Sequence, residues 1–279
     1  LFQQFYNMMD TIIVGKFLGV SALASVGATG SINFMIIGFC MGVCNGFAIP
    51  VAQRFGAKDE HGMRKFVANS VWLSIIFAVV MAVLVCVFCR QILELMNTPE
   101  DIIDGSYSYI FVIFLGIPAT YMYNLLSGIM RSLGDSKTPL YLLIFSSILN
   151  IILDLLSIIV LKMGVAGAAW ATVIAQAVSG FCCLGVIWKK FPILHVQREE
   201  WQPDKLCILN LCNMGIPMGL QYSITAIGSV IIQAAVNSLG SVAVASVAAA
   251  VKINMFLCCP YDAMGSTMAT YAGQNVGAG

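Results

Sequence analysis

The sequence predicts an all-α protein that crosses a lipid bilayer several times. Hydrophobic residues make up 59% of the 279 residues and charged residues only 10%, whereas about a quarter of the residues in ordinary soluble domains are charged. Apolar runs of about 20 residues, the length that spans the hydrocarbon layer, recur along the whole chain. The third observation is an internal repeat, described below. These features exclude the usual soluble classes, and a net charge of +1 provides no overall field that would attract nucleic acid.

Eight apolar segments are predicted to be transmembrane helices. Only the first is too short to span a bilayer, so we expect that its beginning is missing from this chain. It is not preceded by a basic segment or followed by a small-residue cleavage site, so a signal peptide is not expected. The predicted segments are residues 1–14, 26–48, 67–89, 105–127, 140–161, 166–188, 209–236 and 242–270.

The basic residues of the connecting loops predict how the segments are oriented. One set of alternate loops carries ten Lys and Arg residues, whereas the other set carries three. Loops rich in these residues stay on the cytoplasmic side of a membrane. We therefore expect a multi-pass protein of the cell (plasma) membrane with a cytoplasmic N-terminus.

A repeat within the chain predicts two similar lobes. Residues 18–57 align without a gap to residues 239–278, with 13 identities in 40 positions that include Gln53 with Gln274 and Gly56 with Gly277. The second and eighth segments are thus equivalent, and the six-segment offset makes the repeat parallel. We expect two six-helix lobes and about twelve helices in all, of which about eight are present. The predicted units are an N-terminal lobe of residues 1–188, a cytoplasmic linker of residues 189–208, and the first two helices of a C-terminal lobe in residues 209–279.

The sequence does not predict a catalytic or metal site. Cys86 and Cys89 form a C-x-x-C pair inside an apolar run without a second pair, and the two histidines, His61 and His195, lie in separate polar segments. No G-x-S-x-G or H-E-x-x-H pattern is present. We therefore expect neither an enzyme nor a cofactor.

Two acidic residues inside predicted helices are the main candidates for a functional site. A carboxylate at mid-bilayer costs roughly 2.5 to 3.5 kcal/mol on insertion scales, so an acid there is expected to be buried and used. Asp10 and Asp154 are predicted at similar depths, and Asn7 and Asn150 each place an amide one turn deeper on the same helix face. These four residues are predicted to form an ion-coupling site for a proton or a sodium ion. The alternative is that the acids only cap or join neighbouring helices.

Four further polar residues are possible cavity residues. Asn124, Thr172 and Gln176 lie in the fourth and sixth segments, where single amides and hydroxyls often only join helices. Lys252 lies deep in the eighth segment and is expected to face a central cleft or a carboxylate. For all four, the functional and the structural interpretations remain open.

Four motifs identify a family resemblance, namely residues 7–15, 52–57, 131–139 and 150–154. In the order and spacing of these motifs, the chain resembles the multidrug and toxic compound extrusion (MATE) family. The resemblance implies an antiporter that exports cationic, amphipathic small molecules in exchange for protons or sodium ions by alternating access, and we expect a monomer. The segment of residues 209–236 lacks the acid that some members have in the seventh helix, which favours coupling in the first lobe.

The alternative function is a flippase for lipid-linked oligosaccharides. It would need a larger and more basic cleft to hold a pyrophosphate, which Lys252 alone does not provide. The motif of residues 131–139 is predicted to be a turn rather than a substrate contact. In this turn Gly134 permits the bend, Asp135 or Ser136 caps the next helix, and Pro139 suits its first turn.

Overall fold

The computed structural model contains the backbone and most side chains of the chain. The backbone is described for residues 2–96, 98, 100–237 and 241–279. Side chains are described for residues 9–19, 21–96, 98, 100, 102–229, 231–232, 254, 257–258 and 260–279. The predicted site residues Asn7 and Lys252 therefore have side chains outside the described part of the chain.

Helices connected by short segments form the described part of the chain, which confirms the predicted all-α fold class. Ten α-helices are present in it, together with one π-helical turn and one 3-10 turn. The α-helices are Phe2–Leu18 (α1), Val20–Gly56 (α2), Glu60–Val87 (α3), Cys89–Leu95 (α4), Glu100–Leu115 (α5), Ile117–Ser132 (α6), Lys137–Leu155 (α7), Gly164–Lys190 (α8), Lys205–Asn237 (α9) and Ser241–Ala278 (α10).

The lengths and compositions of these helices fit a membrane protein. Within the described residues, four helices are long and apolar enough to cross a bilayer, and a bent pair of helices provides a fifth candidate. The four are Gly30–Gly56, Glu60–Val87, Lys137–Val160 and Gly164–Lys190. Large apolar side chains such as Val83, Ile148 and Phe181 remain exposed on the outer surface, as expected where lipid replaces water.

The fourth predicted segment is broken rather than continuous. It forms α5 and α6, which meet at Gly116 at an angle of 45°. Pro118 lies in the first turn of α6, where a proline is tolerated because its missing N–H would have no helical partner. A side chain at Gly116 would overlap with Val173 of α8. The bend therefore depends on a proline at the start of α6 and on a glycine that lets α8 approach closely.

The fifth predicted segment ends in an unusual turn. After Asp154 and Leu155, residues Leu156–Val160 form a π-helical turn. A π turn is rare and is often found near functional sites. It changes the direction in which the last turn of this segment presents its side chains relative to Asp154.

Helix α2 is the central element of the packing. It contacts α1, α3, α5, α6, α9 and α10. Close approach to α9 requires glycine, because a Cβ at Gly42 would overlap with the backbone of Met218 and one at Gly46 with the backbone of Gly215. Small residues at such crossings let two membrane helices pack through their backbones.

The contact between α2 and α10 reflects the sequence repeat. A Cβ at Gly56 would overlap with the main-chain oxygen of Gln274, and a Cβ at Gly277 would overlap with that of Gln53. Gly56 and Gly277 are equivalent in the repeat, as are Gln53 and Gln274. A contact in which each partner makes the same interactions is typical of a two-fold axis between two similar units.

The turn between α6 and α7 has the predicted structure. Gly134 has a φ of 86°, which favours glycine. Asp135 Oδ1 accepts a hydrogen bond from the Thr138 N–H at 3.0 Å, so Asp135 caps α7. Lys190 Nζ lies 2.6 Å from Asp135 Oδ2. Although burial alone would raise its pKa, the hydrogen bonds from Lys190 and Thr138 lower the pKa of Asp135 to about 2.

The segment between α8 and α9 is fastened to α3 through a buried carboxylate. Glu200 is 1% exposed, and both of its oxygens accept hydrogen bonds from Arg64 Nε at 2.9 Å. His61 Nδ1 lies 2.9 Å from one oxygen, and the Gln197 N–H donates to the other at 2.8 Å. Burial opposes ionisation, but these hydrogen bonds and the charge of Arg64 hold the pKa of Glu200 below its ordinary value.

A second attachment lies where α9 begins. Asp204 caps α9 by accepting hydrogen bonds from the N–H groups of Leu206 and Cys207. Its other carboxylate oxygen lies 3.3 Å from Lys65 Nζ, and its own N–H donates to Asn69 Oδ1 at 2.9 Å. The start of α9 is therefore bound to α3 through both its backbone and its side chain.

Candidate functional site

The two predicted intramembrane acids lie side by side. Asp10 on α1 is 7% exposed and Asp154 on α7 is 0% exposed, and their carboxyl groups are within hydrogen-bonding reach of each other. Helix α1 packs against α7, α2 and α8, which places Asp10 inside the bundle rather than towards lipid. Two residues 144 positions apart in sequence thus form one buried acidic pair.

Asn150 extends the pair one turn along α7. It is 1% exposed, and its amide Nδ2 donates to Thr172 Oγ1 on α8 at 3.3 Å. The Thr172 hydroxyl lies 3.1 Å from the Ala168 carbonyl. The structure therefore brings together Asp10, Asp154, Asn150 and, through Asn150, Thr172.

Four buried oxygens of this cluster lack a hydrogen-bond donor among the described residues. They are Oδ1 of Asp10, both carboxylate oxygens of Asp154, and Oδ1 of Asn150. Buried polar atoms in native proteins are nearly always satisfied, so each such group calls for an explanation. A small group of buried oxygen acceptors suits a proton or a hard cation, because both are held by carboxylate and carbonyl oxygens.

Helix α1 also contributes to a buried apolar cluster. Ile13 and Val14 of α1 pack with Ile158 and Ala168 into this cluster, which also includes Val112 of α5. Buried surroundings have a lower dielectric constant than water, which strengthens electrostatic interactions between buried groups. Ionisation of the pair therefore changes the electrostatic interactions of the neighbouring buried groups strongly.

The two remaining candidates from the fourth and sixth segments join their helices. Asn124 Nδ2 donates to the Thr120 carbonyl at 2.8 Å, and the Thr120 hydroxyl donates to Gln176 Oε1 at 2.6 Å. This chain of hydrogen bonds connects α6 to α8 just beyond the bend at Gly116. Asn124 and Gln176 thus belong to one hydrogen-bond network through Thr120.

The structure also reveals polar residues that the sequence analysis did not combine. A cavity of about 260 Å³, which we call the central cavity, lies between four helices. It is lined by Asn45 of α2, Arg131 of α6, Gln221 and Tyr222 of α9, and Asp262 of α10. The sequence predicts Arg131 only as part of the turn motif, and Asp262 is not among the predicted site residues. The insertion cost that identified Asp10 applies equally to Asp262 and was the signal available in the sequence.

Comparisons with known proteins agree with this architecture. The family model described as MatE matches residues 1–156. The chain is 30% identical over 282 residues to the probable multidrug resistance protein YoeA of Bacillus subtilis, covering 98% of this chain and 60% of that protein. It is also 30% identical to the probable multidrug resistance protein YpnP of the same organism, over 98% of this chain and 61% of that protein. The chain thus spans about 60% of the length of the curated relatives it matches.

Solved structures share the fold over almost the whole chain. A MOP superfamily transporter from Pyrococcus furiosus is similar, with a TM-score of 0.92 and 25% identity over 99% of this chain and 62% of the other. The structure of a MATE protein in the bent conformation is similar, with a TM-score of 0.91 and 25% identity over the same shares. The sequence match covers more than half of the chain, and the chain, part of a multi-pass membrane protein, belongs to the MatE family.

Proposed function

We propose that the full-length protein is a secondary active efflux transporter. It exports cationic, amphipathic compounds by alternating access in exchange for protons or sodium ions. The observation that carries the proposal is the buried pair of Asp10 and Asp154. Together with Asn150, the pair has four acceptor oxygens without donors among the described residues. The names of the relatives, which are multidrug resistance proteins, support the export of drugs.

The acidic pair suits ion coupling because its charge changes when it binds a cation. Two carboxylates in contact within an apolar site repel each other when both are ionised. A proton or a sodium ion between them removes this repulsion, and the pair then behaves as one site rather than two. Loading and unloading of the pair would bias α1 and α7 between two arrangements and so couple the ion to the movement of the transporter.

The proposed movement needs two units that close on each other. We propose that residues 1–188 form the first lobe, residues 189–208 the cytoplasmic linker and residues 209–279 part of the second lobe. The reciprocal contact of α2 with α10 supports this division. We further propose that the protein acts as a monomer in the cell membrane with its N-terminus in the cytoplasm, as the distribution of basic loop residues indicates.

Efflux by the full-length protein tests this function. Ethidium is added to the outside of everted vesicles that contain the protein, and its uptake is followed by fluorescence under an imposed proton gradient, an imposed sodium gradient, or neither. We expect uptake that depends on one of the two gradients. The control is a vesicle preparation without the protein. Uptake that is unaffected by both gradients would contradict an antiporter, and translocation of a lipid-linked oligosaccharide without ethidium transport would favour the flippase instead.

A further inference from the structure

The central cavity lies between helices that the repeat assigns to different lobes. Asn45 of α2 and Arg131 of α6 line one wall, whereas Tyr222 of α9 and Asp262 of α10 line the other. Its volume of about 260 Å³ is slightly below the range of pockets that enclose a whole drug-sized ligand. The cavity is therefore suited to one polar group of a substrate whose apolar part extends beyond it.

Arg131 is the cation of this cavity. Its Nη2 donates to Asn45 Oδ1 at 3.2 Å, and among the described residues no carboxylate lies within ion-pair distance of it. A guanidinium has five N–H donors in a planar fork. A single hydrogen bond to a neutral amide leaves most of these donors and the whole positive charge without an anionic partner.

The opposite wall determines which anion fits. Asp262 also has no ion-pair partner among the described residues, and it lines the cavity together with Tyr222. A phosphate dianion would face one cation and be repelled by Asp262. A carboxylate carries one negative charge, matches the guanidinium in a bidentate geometry, and leaves Asp262 free to accept a cationic group of the same compound.

We propose that Arg131 binds the carboxylate of a transported compound in the central cavity, with Asn45 holding the guanidinium in place. This inference rests on the proposed transport function and extends its substrate class. Compounds that combine a carboxylate with a cationic, apolar body fit the two walls better than simple cations do. Arg131 is then a substrate-binding residue and not only a part of the α6–α7 turn.

A matched pair of dyes tests the proposal in the purified full-length protein. Rhodamine B carries a cationic ring system and a free carboxylate, and its ethyl ester keeps the cation but lacks the carboxylate. Fluorescence polarisation gives the dissociation constant of each dye for the wild type, Arg131→Gln and Arg131→Lys. The control variant is Arg54→Gln, since Arg54 lies at the end of α2, is paired with Asp59 at 3.0 Å and does not line the cavity.

The expected result is a selective loss. Arg131→Gln should weaken rhodamine B binding about tenfold or more, the effect of losing a charge-assisted hydrogen bond, and change binding of the ester less than about twofold. Arg131→Lys, which keeps the charge but not the fork, should lie between, and Arg54→Gln should resemble the wild type. Ester binding also shows that each variant is folded.

Two outcomes would overturn the inference. One is equal affinity of the wild type and Arg131→Gln for rhodamine B, and the other is an equal loss for both dyes, which would make Arg131 a structural residue. In either case ion-driven efflux of ethidium by the wild type leaves the proposed function intact. Absence of that efflux is a separate result and counts against the function itself.

Discussion

Gly56 of α2 and Gly277 of α10 are equivalent residues of the repeat, and each lies against the backbone of the helix that carries the other. The partner atom is in both cases the main-chain oxygen of the equivalent glutamine, Gln274 or Gln53. No side chain fits at either glycine while the two helices remain in this contact. The contact therefore requires glycine at both of these equivalent positions.

A methyl group at Gly56 should separate α2 from α10. We expect Gly56→Ala to destabilise the full-length protein by about 1 to 3 kcal/mol, the usual cost of overpacking, and to reduce transport because this end of the bundle can no longer close. Gly30→Ala on the same helix is the control, since a Cβ there meets no atom within 4 Å. Thermal unfolding and efflux measure the two effects. Equal behaviour of both variants would contradict the prediction.

The acidic pair should behave as a single functional unit. We expect Asp10→Asn and Asp154→Asn each to abolish ion-driven efflux while leaving drug binding largely unchanged, because the site lies within the first lobe. The double variant should be no worse than either single variant. Asp104→Asn is the control, since that side chain is 88% exposed. Near-normal efflux by both single variants would place the coupling site elsewhere.

The carboxylate that fastens the linker should contribute to stability. Glu200→Gln removes the charge that pairs with Arg64, and we expect a loss of about 2 kcal/mol because the site is buried. Glu94→Gln provides the comparison, since Glu94 and its partner Arg90 are both about 60% exposed and such pairs contribute less than about 0.5 kcal/mol. Thermal unfolding of both variants measures the difference. A smaller effect at Glu200 than at Glu94 would show that the linker is not held in this way.

The α6–α7 turn should stabilise the protein in a pH-dependent manner. The pKa of Asp135 is lowered from 3.8 to about 2, so its ionised form favours folding above about pH 4 and this contribution is lost as the pH falls towards 2. Asp135→Asn should therefore cost about 1 kcal/mol at pH 7, a value reduced because Lys190 is exposed to solvent. The difference from the wild type should narrow between pH 4 and pH 2.5, as measured by thermal unfolding in detergent.

A partner variant tests the origin of this effect. Lys190→Met should produce a loss at pH 7 similar to that of Asp135→Asn, and the double variant should add little. A difference between Asp135→Asn and the wild type that stayed constant down to pH 2.5 would show that the ionised carboxylate is not the stabilising species.

The proposed orientation can be tested by labelling from each side of the membrane. Ala57 and Glu100 are exposed residues at the two predicted sides, and neither side chain caps a helix. We expect a cysteine at position 57 to react only with a reagent applied from the cytoplasm and a cysteine at position 100 only from outside. A variant without the native cysteines is the background. The opposite pattern would reverse the orientation of every loop.

The sequence was most informative where the membrane imposes a cost. The similar depths of Asp10 and Asp154, with an amide one turn deeper on each helix, predict a shared pocket, and the structure brings the two carboxyl groups together. The cap at Asp135 also followed from local rules. The same cost applies to Asp262, so the sequence contained a signal for this residue as well.

Contacts between distant segments could not be predicted in the same way. Arg131 was placed in a turn by its neighbours in sequence, but the direction of its side chain depends on how α2, α9 and α10 pack around α6. In the sequence, Glu200 looks like any charged residue of a polar segment, and nothing near it indicates that it is buried. Its burial depends on Arg64, which lies 136 positions earlier, and no periodicity or spacing within a single segment contains that information.

The attachment of Asp204 to Lys65 and Asn69 has a mechanical consequence for the chain that joins α8 to α9. The chain is attached to α3 at Glu200 and again at Asp204, so the segment between these residues has little freedom to move. The start of α9 is therefore held close to α3. If α9 moves during transport, we expect it to rotate about this fixed end. Residues inserted before Gln197 would lengthen the chain ahead of both attachments and leave the start of α9 in place. Residues inserted after Asp204 would instead move the start of α9 away from its attachment to α3.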